Sequence, residues 1–71
     1  MNTINPNKLH LSKWTAAKPC NKEKHFIITQ LLRDEDENVV DVVIEAAYSN
    51  REIIVPWQNL KDDSQWKMGW Q

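Results

Sequence analysis

The feature that most restricts what this chain can fold into is a series of three apolar segments of strand length with polar breaks between them. HFIITQLLR (25–33), VVDVVIEAAY (39–48) and REIIVPW (51–57) are separated by DEDEN (34–38) and SN (49–50). β-Branched and aromatic residues dominate the segments, while the breaks hold the acids, Asn and Ser that favour turns, so the block reads as three strands joined by two hairpins. Asn38 is a residue that tolerates a positive φ, Ser49-Asn50 is a two-residue hairpin connection, and Pro56 ends the third strand by removing a ladder donor.

Tight turns would place Phe26 opposite Ala46 and Leu32 opposite Val40 in the first hairpin, and Ile44 opposite Val55 in the second. By the two-residue period of a strand, one face then collects Phe26, Ile28, Leu32, Val40, Val42, Ile44, Ala46, Ile53, Val55 and Trp57 as a core. The other face collects Ile27, Thr29, Leu31, Val43, Ala47 and Ile54, interrupted by Asp41, Glu45 and Glu52, and is half apolar. Gln30 is the discordant residue, since it falls on the core face unless the register slips by one. A three-stranded sheet with two such faces does not stand alone in water and needs the terminal segments as covers.

The covers are expected on either side of this block. LHLSKWTA (9–16) alternates weakly and could add a strand, and residues 1–8 read as flexible ahead of an ordered core of about 9–70. After Pro56 a short turn runs through Leu60, and Asp62 is spaced from Gln65 as the cap of a further helical stretch over 63–68. Gly69 is the one glycine of the chain, which suits a positive φ at the end of that stretch. Trp66 and Trp70 then serve as lids, each indole covering about 150–250 Å². The expected architecture is a single all-β domain over 1–71, an antiparallel meander of three to five strands curling toward an SH3-like or OB-like barrel with short C-terminal helical turns.

Indole lids matter because nothing else staples so small a core, and a chain of 71 residues buries only about 60% of its unfolded surface. The lone Cys20 has no partner for a disulfide, and one Cys with two scattered His builds no metal site. Cys20 lies among lysines that would lower its thiol pKa, but it reads as a loop residue. No apolar run has the roughly 18 to 20 residues of a membrane span, and the polar N-terminus lacks a signal-peptide core, so a cytoplasmic protein without membrane contact is expected. No nucleophile stands near a base at a recognised spacing, and a single glycine rules out a phosphate loop. The expectation is a protein that is not an enzyme and holds no cofactor or metal. The acidic run 34–37 reads as a solvated hairpin tip that discourages edge pairing.

Charge divides the chain. Residues 1–33 carry five Lys and Arg33 against Glu23, a net of +5, and residues 34–71 carry three cations against nine acids, a net of −6. The half-apolar face, the strand edges and the acidic half suit a protein-interaction or assembly module, including a homodimer made by edge pairing. The alternative is single-stranded nucleic-acid binding through the basic segment 13–26, where Lys13, Lys18, Lys22, Lys24 and His25 would meet phosphates and Trp14 would stack on a base.

The segments SKWTAAKP (12–19), KEKHF (22–26), VIEAA (43–47), WQNLKD (57–62) and WKMGW (66–70), with the pattern W-x-x-L-K-D-x-x-x-W-x-x-G-W, resemble a family of small tryptophan-rich bacterial proteins of uncharacterised function. The resemblance runs over about residues 9–70 and implies no activity, cofactor or site residue.

Overall fold

Alternating apolar side chains, with a turn wherever the alternation fails, build five strands: β1 (Lys13–Cys20), β2 (Glu23–Arg33), β3 (Val39–Ala46), β4 (Glu52–Pro56) and β5 (Trp66–Met68). The computed structural model describes residues 2–20 and 22–71, the side chain of Cys20 excepted. All neighbouring strands pair antiparallel in one open sheet of order β4-β3-β2-β1-β5, so the fold is all-β and β4 and β5 are the sheet's edges. Two 3-10 turns complete it, η1 (Pro6–Lys8) and η2 (Trp57–Lys61).

The first hairpin keeps the expected register near its open end, with Phe26 opposite Ala46 and Ile28 opposite Ile44. Its loop is closed by Asp34, whose backbone pairs with Asn38 and whose Oδ1 accepts from the N–H of Asp36 and of Asn38, both at 2.9 Å. The positive φ falls on Glu37, at 63°, and not on Asn38. Two bulges then change the phase of the strands. Thr29 is an extra residue on β2, so Gln30 pairs with Val43 and is exposed while Leu31 turns onto the core. Val40 is the extra residue on β3, which exposes it and buries Val39. Leu32 and Val40 are therefore not core residues, because a single inserted residue moves each following side chain to the opposite face. In the second hairpin Ile44 faces Ile53, two residues from the tight-turn register. The connection uses four residues, closed by Asn50 N–H to Ala46 O at 2.8 Å with Asn50 at φ 59°, and a shift of two leaves the faces as expected.

The core therefore comprises Trp14, Phe26, Ile28, Val39, Val42, Ile44 and Ala46 of the sheet, with Leu9 and Leu60 laid over them. Trp57 and Trp66 pack against its margin, and the Trp66 ring meets Phe26 edge-on with centroids 5.2 Å apart. In the N-terminal segment the Asn2 amide donates to Leu60 O at 2.8 Å and to Trp66 O at 2.9 Å, and Ile4 packs on the core.

The helical stretch expected over 63–68 is instead a turn followed by a strand. The Asp62 carboxylate accepts from Ser64 Oγ at 2.5 Å and Ser64 N–H at 2.9 Å, and these two bonds hold its pKa below the usual carboxylate value. The capping signal is thus real but closes one turn, because Trp66, Lys67 and Met68 gain more by pairing with Ala16, Thr15 and Trp14. Gly69 does hold the positive φ, 77°, at the end of β5.

Candidate functional site

On the sheet's far side from the core, alternation presents Lys13 of β1, His25 and Ile27 of β2, Asp41, Val43 and Glu45 of β3, and Glu52 and Ile54 of β4. The register aligns Lys13, Ile27, Glu45 and Glu52 in one row across the strands, with Val43 beside Ile54 in the next. Ile54 is 62% exposed, whereas Val43, although outside the core cluster, is itself buried. This outer face runs from cations at the β1–β5 side to acids at the β3–β4 side, with an apolar middle.

The tail beyond β5 folds over the cationic end. Thr15 Oγ1 donates to Gly69 O at 2.7 Å and accepts from Gln71 N–H at 2.9 Å, so the hydroxyl ties the turn at Gly69 to β1. Trp70 is set on this face by its Nε1–H, which donates to Phe26 O at 2.9 Å. Its ring lies 5.4 Å from the His25 ring, with Lys13 Nζ at 4.9 Å, and it stays 46% exposed. Trp70 is thus not a lid on the core; of the two terminal tryptophans only Trp66 has that place.

The six residues assigned to a nucleic-acid surface are dispersed by this geometry. Trp14 is the clearest departure: it is 1% exposed, with Nε1–H donating to Ser12 Oγ at 2.9 Å, and offers no face to a base. Lys13 and His25 flank Trp70 instead. Lys24 borders a shallow hollow of about 260 Å³ with Lys67 and Gln71. Lys18 borders a separate hollow of about 170 Å³ with Phe26, Arg51 and Trp66, and Lys22 is exposed in the turn after β1. Cys20 closes β1, and its side chain lies outside the described residues. Sequence reasoning missed Lys67 and the outward position of Trp70. The available signal was strand alternation in KWT, which sends Lys13 and Trp14 to opposite faces.

Beside the smaller hollow, Glu23 is 4% exposed and bound by Arg51, with Nε at 3.1 and 3.0 Å from its two oxygens, and by the Ser49 hydroxyl. This joins the start of β2 to the β3–β4 connection. The bonds from Arg51, then that from Ser49, hold the Glu23 carboxylate at about 2, below the ordinary 4.5 and against the upward push of burial. Because the folded value is the lower one, the contribution is full above about 4.5 and is lost as pH falls through about 2. Thermal melts between neutral and acid pH should therefore show Glu23→Gln melting below the wild type at neutrality and converging with it at the acid end. Parallel curves would show that Glu23 carries no such linkage.

Among the described residues no three His, Cys, Asp or Glu side chains converge to hold a metal ion, and no helix is long and apolar enough to cross a membrane. A family model described as tryptophan-rich protein (DUF2389) matches residues 12–71. No curated protein and no solved structure matches the chain.

Proposed function

Because the chain belongs to the tryptophan-rich protein family DUF2389, a premise that carries no activity with it, we propose from the geometry that it is a small non-enzymatic binding module. Its role is that of a protein-interaction or assembly domain, and its working surface is the outer face of the sheet. The observation that supports this most is Ile54, 62% exposed on a face whose opposite side already holds the core, with the half-buried Ile27 and the buried Val43 beside it. An apolar strip with charged margins is the anatomy of a protein interface, in which a dry centre is rimmed by polar groups. The burial of Trp14 weighs against the single-strand reading, whose stacking ring it was.

The test is capture of partners from the native cell by the tagged protein and by Ile27→Glu and Ile54→Glu, with Gln58→Glu on η2 as a control. Partners identified by mass spectrometry should be lost from both face variants and kept by the control, with all four proteins melting alike. Equal capture by the face variants would remove the outer face from the reading. Salt-sensitive binding of a random single-stranded oligonucleotide, abolished by charge reversal at Lys13, Lys24 and Lys67, would replace it with nucleic acid.

A further inference from the structure

We infer that the occupant of the outer face is a second copy of this chain, packed face to face about a two-fold axis that runs parallel to the strands over β2. This rests on the reading of that face as the working surface and adds the partner to it.

The sheet order makes β2 the central strand, with β1 and β5 on one side and β3 and β4 on the other. Rotation about an axis along β2 lays β1 of one copy over β3 of the other and leaves each row across the strands opposite itself. In the row that contains Lys13, Ile27 and Glu45, this sets Lys13 against the other copy's Glu45, Ile27 against its own equivalent, and Glu45 against Lys13. These three positions pair with themselves in charge and in polarity, while Glu52, the fourth residue of the row, falls opposite β5 of the other copy. The other two-fold axis in the plane of the face, perpendicular to the strands, lays β1 on β1 and β3 on β3. It would bring Lys13 near Lys13 and Glu45 near Glu45, so charge selects between the two arrangements.

The molecule measures 37 × 25 × 15 Å along its principal axes, so it has a broad side to offer a second copy. Two sheets whose strands run alike are in the aligned arrangement that sandwiches use. Trp70, half exposed beside Lys13, adds an aromatic ring to the same face. Pairing through the free edge of β4 is less suited to a second copy. Its outward-facing backbone spans only Glu52, Ile54 and Pro56, the last without a donor, and a symmetric pair would draw two acidic sides together.

The experiment is sedimentation equilibrium of the full chain with a charge swap. The wild type should sediment at twice 8.4 kDa at micromolar concentration. Lys13→Glu and Glu45→Lys should each weaken the dimer by about 100-fold or more, since each sets like charges together twice. Mixing the two variants should restore a dimer, and so should the double variant Lys13→Glu/Glu45→Lys, which a folding defect could not do. Wild type that stays at 8.4 kDa up to millimolar concentration, or a dimer indifferent to both single substitutions, overturns the proposal. If the wild type is monomeric while Ile27→Glu still loses a captured partner, the second copy is wrong and the working face stands. If that substitution has no effect either, both fall.

Discussion

Trp14→Ala is expected to cost about 3–5 kcal/mol and to leave the chain largely unfolded at room temperature, read as loss of the cooperative transition in urea or thermal melts followed by circular dichroism. A domain of this size has a total stability of roughly 4–10 kcal/mol, so one such loss takes most of it. The indole is 1% exposed among residues that are themselves buried, including Phe26 across the ladder and Leu9 above, and truncation leaves a void that a five-stranded sheet cannot close without breaking register. It also removes the Nε1–H bond to Ser12, whose hydroxyl in turn donates to Leu9 O at 2.6 Å, so the entry to β1 loosens with the core. Trp70→Ala is the matched control. It removes an equally large ring, but one that is 46% exposed on the other face, and the variant should remain folded with a loss of about 1–2 kcal/mol. Were Trp14→Ala to melt with the wild type, Trp14 would not be the centre of the core.

The contrast between these two tryptophans also marks how far the sequence could be read. Strands β2, β3 and β4 were legible because their apolar residues alternate and their ends carry turn residues, and those signals are local. The bulges at Thr29 and Val40 were not, since inserting one residue leaves composition and propensity unchanged; only the misfit of Gln30 betrayed the first of them. The 63–68 stretch failed for a different reason. Its capping signal was satisfied within one turn at Asp62, and the choice between helix and strand was made by β1, an element fifty residues away in sequence whose free edge accepts Trp66, Lys67 and Met68. In the basic segment Lys13 and Trp14 are adjacent, which composition alone reads as one surface. In a strand these two point opposite ways, so the lysine faces out where the tryptophan faces in. The charge asymmetry was visible from the start, but only the sheet order turns it into a cationic and an acidic side of one face.

Leu60→Ala is the second substitution expected to have a large effect, about 2–5 kcal/mol, and it tests how the two edges of the sheet are held together. The order β4-β3-β2-β1-β5 obliges the chain to cross the whole core side between its last two strands, and η2 is that crossing. Leu60 is its one buried anchor, with no exposed surface. Asn2 then bonds to what Leu60 positions, its N–H to Lys61 O at 2.9 Å and its amide to Leu60 O and Trp66 O, so the N-terminal segment, η2 and β5 depend on one side chain. Loss of the anchor should free them together, and Asn2→Ala added to Leu60→Ala should cost clearly less than the two measured apart, the sign of a shared unit. Hydrogen exchange locates the effect. In Leu60→Ala the amides of Ala17 and Gly69, which bond to Gln65 O and Lys13 O at 2.8 Å, should lose more protection than those between β2 and β3. Uniform loss over all strands would mean that η2 folds with the whole sheet, and unchanged protection at Gly69 would mean that β5 is held by its pairing with β1 alone.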